Sequence, residues 1–403
     1  MNKLFLTSLL FYCASSFAQF NNMIVFGDSL SDGGNFPESQ KIWIDDSKSK
    51  TLSNAVPQFY VPFSNPVDTS SPAFLFTWPT LNSAMLEKQA PIENNPNPRK
   101  YRSISWPQFF LNMAEISHLI KSSVISPSNL LNTRKIPAHF SFNYAWGYAM
   151  STENCVNPYY QPSKFCDAQS IYLARKKYKN NPSAENYKHI EVPGLFKQMT
   201  LFINDVRANK VSVDKNTVYV FWTGGNDLIV AVIALYHHWN PLPLLKFILG
   251  FTSDNILKNV SILHYSLPKE KRPNTVYVFN LFNPELTPGF RAHTVMAAVG
   301  NFAVICHNFW LKLDSKIFNF FSRSKIIVVP VYQWYKNSSE NKYFKAHLGE
   351  ACQMKGGNYT NPMVIPKSNC AGYLFWNSVH PAAPMNVFEA HQFFKKLISD
   401  KTT

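Results

Sequence analysis

Four short apolar runs set the architecture: Met23 to Phe26, Thr217 to Trp222, Thr275 to Phe279 and Ile326 to Val329. Each is continuous rather than alternating, so each has two faces to bury, as strands of a parallel sheet covered on both sides do. Between them apolar residues recur at helical spacing. Phe109, Phe110, Met113 and Ile116 form one such face after Trp106, an amphipathic stretch runs from about Leu195 to Ala208, and a long one from about Thr294 to Phe321. Strands alternating with helices predict a three-layer α/β/α domain with a mostly parallel central sheet. No internal repeat is present.

The first 18 residues read as a processing signal: Lys3 gives a positive start, Leu4 to Phe17 are almost wholly apolar, and Ala18 ends the segment. Cys13 does not suit a lipid anchor, because the bulky Phe11 and Tyr12 precede it. The apolar run is also short for a membrane span. Residues 19–403 are then expected to form a single domain with Pro-, Ser- and Asn-rich loop insertions at about 36–102 and 151–193, the second carrying Arg175, Lys176 and Lys177.

An apolar content of 46% suffices for a sizeable core, and the net charge of +15 asks for an explanation. No nucleic-acid-binding module is recognisable, so an anionic phospholipid surface suits a basic, aromatic-rich exported chain better. A charge that only maintains solubility is the plainer alternative. Five cysteines remain beyond residue 18. Sequence proximity pairs Cys155 with Cys166 and Cys352 with Cys370, leaving Cys306 in an apolar stretch as a core thiol. With no CxxC pair or His/Cys ligand spacing, neither a zinc site nor any other cofactor is expected.

Chemistry concentrates just past the apolar runs. The string Ile24-Val-Phe-Gly-Asp-Ser-Leu-Ser-Asp-Gly-Gly-Asn35 places Ser29 on a tight turn directly after a buried strand. There its hydroxyl and backbone N–H face the same space, as a nucleophile requires. The G-x-S-x-G elbow is not met, since Ser31 stands at the second glycine position. The string resembles the first block of the GDSL, or SGNH, hydrolases. Asn143-Tyr-Ala-Trp-Gly147 resembles the second block, Thr223-Gly-Gly-Asn-Asp227 the third, and Phe375-Trp-Asn-Ser-Val-His-Pro381 the last. Asn280 to Pro288 is similar to the family's strand–loop connection, so the resemblance spans roughly Met23 to Phe394.

It implies an SGNH-hydrolase, flavodoxin-like fold and a division of labour. Ser29 attacks an ester carbonyl. His380 takes its proton and passes it to the leaving alcohol. The Ser29 N–H, the Gly147 N–H and the Asn226 amide form the oxyanion hole. Asp28 and Asn35 brace the turn, whereas His237, His238, His293 and His391 are structural or surface residues. The chain departs from the family at two places. Tyr148 stands where a glycine is usual, and Asn377 stands where an aspartate normally orients the histidine.

The substrate is read from Leu228 to Tyr236 and Phe247 to Phe251, an apolar stretch interrupted by Pro241 and Pro243. It suits an acyl-chain groove or a membrane interface, or an ordinary core helix with a packed loop. The arrangement is similar to secreted bacterial GDSL phospholipases and glycerophospholipid–cholesterol acyltransferases. Hydrolysis of phospholipid or lysophospholipid fatty-acyl esters, with acyl transfer as a variant, is therefore the expectation. The rivals are a carbohydrate or aryl esterase of the same fold, and a lipid-binding pseudoenzyme whose mark is Asn377.

Overall fold

A computed structural model describes residues 20–33, 35–36, 105–116, 119–122, 125–132, 140–163, 166–180, 184–351, 372–375 and 378–402. The signal segment, most of the 36–102 insertion, Cys352, Cys370 and Asn377 lie outside these residues. The described chain is α/β, and its central strands are β1 (Met23–Gly27), β2 (Ile125–Pro127), β3 (Ser141–Asn143), β6 (Val218–Trp222), β7 (Thr275–Phe279) and β8 (Lys325–Val329). They form a six-stranded sheet in the order β2-β3-β1-β6-β7-β8, parallel throughout. Two-residue strands β4 (Cys155–Val156) and β5 (Val192–Pro193) pair antiparallel outside that sheet.

Alternate residues of each central strand feed opposite layers, as the period of two dictates. On one face Met23, Val25, Val220 and Phe279 meet α1 (Trp106–Ile116) and the C-terminal helix Ala383–Thr402. On the other, Ile24, Phe26, Phe221 and Val278 meet α3 (Leu195–Arg207) and α6 (Phe251–Ser266). Between these last two helices come α4 (Gly225–His238) and α5 (Leu242–Ile248), and α7 (Thr294–Phe321) follows β7. The insertion read as a loop at 151–193 contains α2 (Ala168–Asn180), whose Ile171 and Tyr178 close a separate small core with Trp146 and Tyr148.

Cys155 and Cys166 form the expected disulfide, with Cα atoms 5.9 Å apart. The bond fits an oxidising, extracellular environment. Cys306 is free, but half-buried on α7 rather than in the core as expected. A loop spanning 11 positions gains roughly 3 kcal/mol when closed, by chain-entropy reasoning. Replacing both cysteines by serine is expected to lower the free energy of unfolding, extrapolated from a urea melt, by up to that amount. Non-reducing peptide mapping checks the pairing, and finding Cys306 in a bridge would overturn it.

Candidate active site

Strand β1 runs into the site through a position only glycine can hold. Gly27 has φ +148°, and a Cβ there would lie 2.0 Å from the Trp222 carbonyl oxygen on β6. The backbone then reverses at once. Ser31 and Asp32 both donate backbone N–H groups to the Asp28 carbonyl, at 3.1 and 3.0 Å, and Leu30 N–H donates to Asp28 Oδ1 at 3.0 Å. Burial, with the Asp227 charge adding to it, pushes the Asp28 carboxyl up to about 7. Ser29 sits at the apex, nearly buried, and its backbone N–H has no acceptor among the described residues.

The Ser29 Oγ lies 2.8 Å from His380 Nε2, a contact across 351 positions of sequence. The histidine arrives on a segment tied down on either side of it. Gly289 N–H donates to the Ser378 carbonyl and Ala382 N–H to the Leu374 carbonyl, both at 2.8 Å. Burial pushes the imidazole down to about 3, so the ring is neutral. For Ser29 to donate, Nε2 must be the unprotonated nitrogen, which puts the ring proton on Nδ1. A serine within reach of a neutral imidazole is the arrangement of an activated nucleophile.

Asn226 enters from the neighbouring strand. Gly27 pairs with Trp222 in register, so Ser29 and Asn226 stand two and four residues beyond matched positions. Gly224 (φ +111°) turns the chain into α4, with Asn226 in the first helical turn. Its Nδ2 donates to the Ala149 carbonyl at 2.9 Å, and its Oδ1 accepts the Tyr160 hydroxyl at 2.9 Å. Those two bonds fix which end of the amide is which, and one Nδ2 hydrogen remains for a developing oxyanion. Asp227 braces the same region by accepting from the backbone N–H and hydroxyl of both Ser151 and Thr152.

Gly147, expected as an oxyanion donor, is otherwise engaged: its N–H donates to Asp32 Oδ2 at 2.8 Å. Asp32 also takes the N–H groups of Asn35 and Phe36, at 2.8 and 3.0 Å. Tyr148 stands where the pattern that the sequence resembles usually has a glycine. Its φ is +67°, the left-handed conformation a glycine takes readily, held here by ring contacts to Phe36 and Tyr160. Asn35 does brace: its amide donates to the Asn143 and Ala145 carbonyls at 2.6 and 2.9 Å. His237, His238 and His293 are exposed and His391 is half-buried. Asn377 lies outside the described residues.

Sequence reasoning missed four residues that hold this site. Buried Gln198 on α3 clasps Gly27 at both its N–H (3.0 Å) and its carbonyl (2.8 Å). Arg175, read as part of a basic loop, is buried and donates to the Asn35 carbonyl at 2.8 Å. Asp32 and Tyr160 complete the set; Asp32 lies within the string from Ile24 to Asn35 but was not singled out there, and the other three belong to no linear motif that would mark them. Among the described residues no group of three or more His, Cys, Asp or Glu could hold a metal ion. Neither a scan against protein-family models nor a search of the curated proteins returned a match.

Proposed function

We propose that this protein is a secreted serine ester hydrolase of the GDSL, or SGNH, type, acting on fatty-acyl esters of phospholipids or lysophospholipids. The observation that carries the reading is the 2.8 Å contact between Ser29 Oγ and His380 Nε2. It stands at the carboxyl ends of parallel strands, where open α/β sheets collect reacting groups. His380 takes the hydroxyl proton as Ser29 Oγ bonds to the ester carbonyl carbon. The resulting oxyanion is held by the Ser29 N–H and the Asn226 amide. Collapse breaks the ester C–O bond, and the departing alcohol receives the proton from His380. Water, activated by the same ring, then releases the fatty acid. An alcohol in place of water gives acyl transfer.

The lipid preference is supported by α4, which passes from Asn226 directly into the apolar stretch Leu228 to Tyr236, and by the net charge of +15. Export is supported by the Cys155–Cys166 bridge. The test measures release of product from p-nitrophenyl butyrate, phosphatidylglycerol vesicles and acetylated xylan. Turnover of the first two is expected. Acetate release from xylan without fatty-acid release would replace the lipid reading with a carbohydrate esterase, and no turnover of any would replace it with a pseudoenzyme.

Asn377 favours a slow enzyme, since asparagine can orient an imidazole but cannot offset its positive charge. Asn377→Asp is expected to raise kcat on the soluble ester by at least about tenfold near pH 7, a gain of about 1.4 kcal/mol. It has a second signature. A carboxylate stabilises the protonated ring, so the His380 pKa rises from about 3 and the acid limb of the kcat/KM profile moves to higher pH. An unchanged rate and profile would mean another group already orients His380.

A further inference from the structure

We infer that the exposed side of α4, α5 and the first half of α7 is a docking surface for an anionic lipid bilayer. Helix α7 is long and apolar enough to cross a membrane, but one face of it is committed to the core through Ala297, Gly300, Val304, His307, Leu311 and Ser315. Its opposite side carries Val295, Ala298, Phe302, Ile305 and Phe309, all exposed and repeating every three or four residues. This single stripe is about 21 Å long at 1.5 Å per residue. It continues as exposed Lys312 and Lys316. On α5, Leu244 and Phe247 are buried while Leu242 and Leu245 are exposed, and Trp239, 87% exposed, lies between α4 and α5.

The surface stands on the edge that carries Ser29. Asn308 on α7 exchanges hydrogen bonds with Leu281, at 2.8 and 3.0 Å, two residues past the end of β7. Residues 294–307 therefore lie beyond the carboxyl ends of the strands. Helix α4 runs antiparallel beside them: Gly224 neighbours His307, and the Tyr236 ring is 5.8 Å from that of His293. The short helix Pro288–Arg291 links this projection to the catalytic segment through the bond from Gly289 to Ser378.

Two features choose lipid as the occupant. Apolar exposure on this scale marks an interaction surface rather than an ordinary monomer face. Segments 228–251 and 288–313 contain Lys246, Arg291 and Lys312 but no aspartate or glutamate. A second copy in a two-fold interface would set those cations against themselves. Anionic headgroups complement them, while Trp239 and Tyr236 have the amphipathic rings suited to a bilayer's boundary. The inference rests on the lipid-ester reading of the site, and the two are made to fail separately.

The experiment floats full-length protein with vesicles of phosphatidylcholine alone or with one-quarter phosphatidylglycerol, at low and high salt. The variants are Phe302→Ser/Phe309→Ser, Trp239→Ser/Leu245→Ser, and Phe321→Ser as a control at the far end of α7 that is more exposed than Phe302 or Phe309. Each is also assayed on p-nitrophenyl butyrate and for its melting temperature. Wild type is expected to float with the anionic vesicles and to be released by salt. Both double variants should lose at least about tenfold in partitioning, with soluble-ester rates and melting unchanged, whereas Phe321→Ser should match wild type. Wild type that ignores anionic vesicles, double variants that float like wild type, or an equal loss in the control would each overturn the surface. So would a wild-type dimer that the double variants dissolve without losing vesicle binding. Selective loss of flotation in a protein that hydrolyses no ester would uphold the surface and discard the hydrolase.

Discussion

Replacing Ser29 with alanine is expected to lower kcat on a soluble ester by at least about 10⁴-fold, some 5.4 kcal/mol in the barrier, while leaving the fold in place. The size follows from the residue's role. Without Oγ no acyl-enzyme forms, and the remaining groups can only orient water and hold an oxyanion. The structural cost is smaller. Ser29 is nearly buried and its hydroxyl contacts His380 Nε2, so the alanine variant leaves one buried ring nitrogen unsatisfied, worth about 1–3 kcal/mol. His380→Ala should match the kinetic loss, and the double variant should be no slower than either single one, because the pair acts as a unit. Steady-state rates beside a urea melt separate the two effects. Equal rates for wild type and Ser29→Ala would refute the assignment.

The next largest effect is expected at Asn226. Asn226→Ala should reduce kcat by about 10²- to 10³-fold, 2.7–4 kcal/mol, with KM within a few-fold of wild type, since an oxyanion donor acts in the transition state. The amide earns this role by being fixed before substrate arrives. Ala149 takes one Nδ2 hydrogen and Tyr160 donates to Oδ1. Tyr160→Phe, which removes only the hydroxyl, should give a smaller fall in kcat and again little change in KM. A loss below about tenfold in Asn226→Ala would leave the amide a structural group at a helix start.

The parts of the fold that were legible in the sequence are those where burial dictates composition. Strands β1, β6, β7 and β8 were visible because a strand buried on both faces must be apolar throughout. Helix α7 was bounded correctly, as its long apolar pattern has no competing break. Strands β2 and β3, three residues each, were not seen; β2 ends in Pro127 and owes its place to pairing with β3 rather than to any pattern of its own. Helix α2 was hidden because Arg175 reads as surface charge, yet it is buried against the Asn35 carbonyl. The same limit applied at the site. Ser29, Asn226 and His380 lie in recognisable strings, whereas Gln198 and Tyr160 matter only through what folding brings beside them; Asp32 shares the string of Ser29, but its engagement of Gly147 has no linear trace.

The separation of 351 positions between Ser29 and His380 also orders events during synthesis. Ser29 leaves the ribosome 351 positions before His380 does. At about 5–20 residues per second, roughly 18–70 seconds pass between them. The helix Ala383–Thr402, which begins three residues after His380, packs against α1 and helps complete one layer of the core. A partly made chain, or one clipped before residue 380, therefore lacks the contact between Ser29 and His380. On the proposed reading, such fragments hold Ser29 without its base, so any ester hydrolysis by this protein waits until residue 380 has been made and folded into place.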